Sequence, residues 1–240
     1  MRNYLFGLLI LVFNDVNACQ TIKLDLSSKL TGDGFHRTIY VSAEVSSMKR
    51  LTECNLAYFF QIPKGIFVQT ESLNGTLFNH CYLTSQWNLE DLSDSVAVTD
   101  LKPLIFYSTK EPRKVFVFKD EFKFNVHFRY NPAKLPEEEL PIVEIGPPRV
   151  YLRCKENETL LEDKSCFKNR ENLACGCQAT PKCSFIRLTP SNSTPKQKAT
   201  VPAGDKSEAK WVVTLTLVSL FICLLIISMS KPHVVKEKDD

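Results

Sequence analysis

The 240-residue chain is poor in glycine, with eight, and in histidine, with four, and these shortages exclude much chemistry at once. So few and so scattered glycines build no phosphate-cradling loop, so a glycine-rich nucleotide site is not expected. His36, His80, His127 and His233 are dispersed, and the sequence holds no G-x-S-x-G elbow, H-E-x-x-H pair or Asp-x-Asp metal motif. Paired carboxylates such as Asp91 and Asp94, or Asp120 and Glu121, read as surface charge. An excess of one charge sign is lacking too. The formal net charge is +3 with basic and acidic residues interspersed, which leaves no footprint for nucleic acid. The residues therefore predict no catalytic group, no cofactor and no bound metal, and point to a binding or scaffolding domain.

What is present begins with two apolar runs. Arg2 precedes the run Leu5 to Phe13, and Val16 and Ala18 supply small residues at a cleavage position. This is the order of a secretory signal peptide over 1–18, which leaves Cys19 as the mature N-terminus. The second run, Trp211 to Met229, contains no charged side chain and is bracketed by Lys210 and Lys231. As a helix it reaches roughly 28 Å, close to the hydrocarbon thickness of an endoplasmic reticulum bilayer. The polar residues 230–240 that follow it exclude a removed lipid-attachment signal, so the span is retained. The expected topology is single-pass type I, with a luminal domain and a cytoplasmic tail over 230–240. In that tail Lys236 and Lys238 stand fifth and third from the end, a placement that resembles the dilysine retrieval signal of the endoplasmic reticulum.

The chain has nine cysteines, and Cys223 falls in the expected span. The other eight, Cys19, Cys54, Cys81, Cys154, Cys166, Cys175, Cys177 and Cys183, form an even luminal set that reads as disulfides of open connectivity. A zinc site is the alternative, but paired C-x-x-C spacing and a nearby histidine are missing. Sequons at Asn74, Asn157 and Asn192 suit glycosylation in the same compartment.

Period-two alternation dominates the luminal part. Ile22, Leu24 and Leu26 alternate with polar residues, as do Ile39, Val41, Ala43 and Val45, and again Phe122, Phe124, Val126 and Phe128. Cys54 to Ile62 is mostly apolar and aromatic, and Ile66 to Val68, Val115 to Phe118 and Val150 to Leu152 add shorter strands. Turn chemistry separates them at Thr31-Gly32-Asp33-Gly34, Pro63-Lys64-Gly65 and Asn131-Pro132, while Trp87 to Leu92 is the single short helical candidate. The expected fold is all-β, an antiparallel β-sandwich over 19–154. A cysteine-rich extension follows over 155–188. Residues 189–210 are rich in Pro, Ser, Thr and Lys and read as a flexible stalk, and 211–229 is the transmembrane helix.

Four stretches in order carry a family resemblance. They are Gly34-Phe35-His36-Arg37; Ile62-Pro63-Lys64-Gly65-Ile66-Phe67-Val68 with Glu71-Ser72-Leu73; Val126-His127-Phe128-Arg129-Tyr130-Asn131-Pro132; and Pro147-Pro148-Arg149-Val150-Tyr151-Leu152-Arg153-Cys154. Ahead of a single C-terminal span, this set resembles the PIG-X family over roughly 30–154. Gln69-Thr70 departs from the Asp-Pro-Tyr that the family tends to have before Glu-x-Leu, and the segment from Lys155 aligns poorly. The resemblance implies a non-catalytic subunit of GPI mannosyltransferase I that binds and stabilises a PIG-M-type multi-pass catalytic subunit. That enzyme transfers the first mannose from dolichol-phosphate-mannose to glucosaminyl-phosphatidylinositol. The alternative class is a type I cargo receptor or folding factor of the endoplasmic reticulum. By alternation Phe128 faces the core while His127 and Arg129 point the other way. His127, Arg129 and Tyr130 are candidate partner contacts; for Arg129 and Tyr130 a buried hydrogen-bonded corner is an equal reading.

Overall fold

The computed structural model describes residues 22–73, 79–84, 102–108, 115–155 and 169–229. The signal peptide, Cys19, Asn74, the helical candidate at 87–92, Asn157, Cys166, Lys236 and Lys238 lie outside the described residues.

The first strands follow the alternation read from the sequence. β1 (Ile22–Thr31) buries Ile22, Leu24, Leu26 and Ser28 in turn, and pairs antiparallel along its whole length with β2 (His36–Leu51). The hairpin between them turns on Gly32 and Gly34, at φ 95 and 64, a region open to glycine and strained for most other residues. β7 (Val115–Phe128) lies on the other side of β2, and β4 (Ile66–Phe67) closes this four-stranded sheet in the order β1-β2-β7-β4.

β3 (Asn55–Ile62) reads as a continuous apolar run because both its faces are covered. Leu56, Tyr58, Phe60 and Ile62 point to the first sheet, whereas Ala57 and Phe59 join a second cluster with Tyr107, Tyr151 and Phe185. This strand sits inside a six-stranded antiparallel sheet with β5 (His80–Thr84), β6 (Lys102–Ser108), β9 (Arg149–Arg153), β10 (Arg170–Ala174) and β11 (Lys182–Leu188), ordered β10-β11-β9-β3-β6-β5. The two sheets pack face to face through aromatic rings. Phe60 meets Phe124 at 5.2 Å, Tyr58 meets Phe122 at 4.9 Å, and Phe106 meets both phenylalanines at 5.0 and 4.8 Å. The molecule is an antiparallel β-sandwich, as the strand pattern predicted.

The cysteine-rich stretch is not an appendage. Its two strands extend the second sheet, with Ile186 opposite Leu152 and Leu188 opposite Val150, and Phe185 and Ile186 are fully buried. Among the described residues two disulfides fix it, Cys81–Cys177 and Cys175–Cys183, while Cys54–Cys154 closes the strands just before it. Cys81 lies on one edge strand of the six-stranded sheet and Cys177 follows the other edge strand. The loop carrying Cys177 therefore reaches back across the outer face, where Cys177 packs against the second cluster.

The expectation of a flexible stalk over 189–210 is corrected as well. The backbone N–H of Ser191 donates to the Leu24 carbonyl, and the Thr194 hydroxyl donates to that of Leu26. β12 (Gln197–Thr200) pairs with β8 (Ile142–Ile145), and Val201 is buried in the main core. Side-chain composition said nothing of these contacts, because all but Val201 are made by backbone groups or a hydroxyl.

Candidate functional site

The first three stretches that carried the resemblance are far apart in sequence and meet at one end of the sandwich. His36 opens β2 directly opposite His127 near the end of β7, and Phe67 of β4 lies opposite His127 on its other side. Phe128 N–H donates to the Phe35 carbonyl at 2.8 Å, and Arg129 N–H donates to that of Gly65 at 2.9 Å. A methyl group on Gly65 would stand 2.7 Å from a Val143 methyl, so only glycine lets the β8–β12 ribbon close here. The fourth stretch joins through β9, where the Arg149 guanidinium lies 4.4 Å from the Phe59 ring centre.

On the outer face His36, His127 and Phe67 form a row, with ring centres 4.5 Å apart for the two histidines and 5.9 Å for His127 and Phe67. Neither ring contact offers the serine or carboxylate partner that a hydrolase would need. Tyr130 is 68% exposed and rests on Phe35 at 4.8 Å. Arg129 behaves differently. It is only 6% exposed, and its guanidinium lies 5.9 Å from the Phe67 ring centre, on the same outer face as His127, so it points away from the core as alternation expects and is nevertheless covered. Arg129 is thus buried, and Tyr130 presents its ring to solvent.

Burial first, and the neighbouring His36 second, hold the His127 imidazole below its ordinary value of 6.5. The unfolded chain therefore takes up this proton first on acidification, and the contribution is favourable above about 6.5 and lost as pH falls through the lower folded value. Thermal unfolding followed from about pH 7.5 to about pH 5 is expected to show declining stability, and less decline in His127→Gln. An identical decline in the variant would remove His127 as the cause.

Sequence reasoning missed a polar cluster between the sheets. Asp120 occupies an inward position of β7 and accepts from the Tyr58 hydroxyl at 2.6 Å, with His80 Nε2 at 2.9 Å. The His80 and Asp120 side chains are 3% and 11% exposed, and Phe122 covers the His80 ring at 4.7 Å. Burial, then the Asp120 charge and hydrogen bond, push the Tyr58 phenol up. A closed clasp of this kind joins strands and admits no substrate. Its signal was present as a charge interrupting the inward row Phe118, Phe122, Phe124; surface charge describes only Glu121.

The same end of the sandwich leads to the apolar helix. Lys134 N–H donates to the Gly204 carbonyl, and Lys206 N–H donates to that of Lys134. Asp205 caps the short 3-10 turn Lys206–Glu208 by accepting from the Ser207 hydroxyl at 2.6 Å and the Ser207 N–H at 2.8 Å, and these bonds, the hydroxyl's first, hold its carboxyl below the usual value. α2 (Ala209–Met229) follows without a break, the four-residue helix Thr70–Leu73 being α1. α2 is long and apolar enough to cross a bilayer and buries none of its residues in the protein.

These features define a class: a disulfide-bonded β-sandwich followed by an apolar helix, with a cluster of aromatic and histidine side chains at the end nearest that helix. A family model described as PIG-X / PBN1 matches residues 32–230, and the chain belongs to that family. The match includes the extension and the helix that the shorter resemblance left out. No curated protein matches the chain. Among solved structures, a cohesin module from Clostridium perfringens ATCC13124 family 33 glycoside hydrolase aligns with 6% identity and a TM-score of 0.31. It covers 78% of this chain and 100% of that one, a likeness too slight to carry an argument.

Proposed function

We propose that the chain is the non-catalytic, stabilising subunit of GPI mannosyltransferase I. In this reading it binds a PIG-M-type multi-pass subunit and supports transfer of the first mannose to glucosaminyl-phosphatidylinositol. Membership of the PIG-X / PBN1 family supports an accessory role. The observation that carries the rest is geometric: the stretches Phe35–Arg37, Pro63–Phe67 and His127–Tyr130 converge where the domain joins its helix. A multi-pass partner presents its accessible loops at that height above the bilayer. The proposal includes a cleaved leader over 1–18, a luminal sandwich, glycosylation at sequons such as the exposed Asn192, and retrieval through Lys236 and Lys238.

Cells lacking the gene are expected to lose surface GPI-anchored proteins and the multi-pass subunit together, and normal surface levels would refute the reading. Purification in mild detergent is expected to recover one polytopic partner; many secretory clients instead would favour a cargo receptor. Tyr130→Ala, which removes an exposed ring without touching the core, is expected to weaken that recovery by about 30-fold, as loss of a hot spot of about 2 kcal/mol does. Full recovery with Tyr130→Ala would place the contact elsewhere.

A further inference from the structure

Residues 134–142 wrap the last residues before α2. At one end Lys134 is bonded to Gly204 and Lys206, and at the other the Val201 N–H donates to the Pro141 carbonyl at 2.8 Å. The Lys134 ammonium also donates to the Glu139 carbonyl at 2.7 Å and closes the segment on itself. The result is a collar-like segment bonded along residues 201–206 at the base of the helix. It carries Leu135, Leu140 and Ile142, exposed at 37%, 47% and 61%, with no protein covering them.

No slack chain separates this collar from the helix. Lys206 is both the last residue hydrogen-bonded to the collar and the first of the turn that runs into α2. Lys206 to Trp211, helical almost throughout, spans about 8 Å along the axis. Trp211 and Lys210 are the pair of residue types that settle at a bilayer interface. The headgroup layer on each side is about 5–8 Å deep. The collar is therefore held at headgroup height by bonded geometry, whatever the rest of the sandwich does.

We propose that Leu135, Leu140 and Ile142 rest in the lipid headgroup layer around α2, making the collar a second, non-spanning membrane contact. It fixes the sandwich in one orientation, with the Phe35–Tyr130 surface turned along the bilayer. Glu137, Glu138 and Glu139 between the apolar side chains match a zwitterionic leaflet and not an anionic one. The proposal rests on α2 being a span, and the test separates the two.

Full-length protein in phosphatidylcholine nanodiscs would carry an environment-sensitive fluorescent amino acid at one position, introduced by codon suppression to spare the disulfides. Position 217 lies within α2, and position 48 lies on the exposed far end of β2, remote from His36. Doxyl groups placed shallowly in the lipid are expected to quench positions 140 and 142, more than deep ones do, while position 217 is quenched by deep groups and position 48 by neither. Unquenched 217 defeats the span. Quenched 217 with 140 and 142 as water-exposed as 48 defeats the collar proposal alone. Protection of 140 and 142 that appears only with the multi-pass subunit present also overturns it, and assigns the side chains to that partner.

Discussion

Replacing Cys54 and Cys154 together with alanine is expected to remove about 4–5 kcal/mol of stability, since the bridge closes a loop of 100 residues. Domains of this size are stable by about 5–15 kcal/mol in total, so the variant is expected to be largely unfolded or degraded at body temperature. The bond ties the start of β3 to the end of β9, neighbours at the centre of the six-stranded sheet, and both sulfurs are buried. Removing Cys175–Cys183, which closes a loop of only 8, is expected to cost about 2 kcal/mol less. Denaturant unfolding of the two variants compares them directly. Equal losses would show that loop closure does not govern the stability of this domain.

Asp120→Ala is expected to cost about 3 kcal/mol, because it deprives two buried groups, the Tyr58 hydroxyl and the His80 ring, of their shared acceptor. Tyr58 and His80 share the single oxygen Oδ2, so Asp120→Asn can keep both bonds on its amide oxygen but loses the charge that strengthens them, and an intermediate loss is expected. Tyr58→Phe deletes one bond and strands no donor, and about 1 kcal/mol is expected. The ordering Ala, Asn, Tyr58→Phe, measured as shifts of the unfolding midpoint, tests the clasp as a unit. An Asp120→Ala protein as stable as Tyr58→Phe would mean that water satisfies His80.

Where each residue along a strand faces either core or solvent, the sequence was readable. β1, β2 and the second half of β7 show the plain alternation, and β3 announces its doubly covered position by losing it. Legibility fails where backbone groups make the contacts. Residues 189–200 carry few apolar side chains, yet their hydrogen bonds to Leu24, Leu26 and β8 hold them along the domain. The extension was obscure for a different reason: β10 is mostly polar, and its place depends on disulfides whose pairing no spacing reveals. At the candidate site, alternation placed Phe128 in the core and His127 and Arg129 on the other face, but it said nothing of the burial of Arg129. His36, His127 and Phe67 form a row only through strand register, which links positions 36, 67 and 127 and is invisible along the chain.

The contacts of Leu24 and Leu26 with Ser191 and Thr194 also set a timetable for biosynthesis. The first strand of the sandwich acquires its outer neighbour from residues far later in the chain, Thr194 standing 168 positions after Leu26, and Val201 enters the core just ahead of α2. Such long-range closures are slow and wait for the whole segment to be available. A growing chain therefore leaves the exposed edge of β1 open, with its risk of wrong pairing, until the residues just ahead of α2 emerge. Closure of the sandwich and synthesis of its apolar helix become neighbouring events, and a chain stalled short of residue 201 has neither.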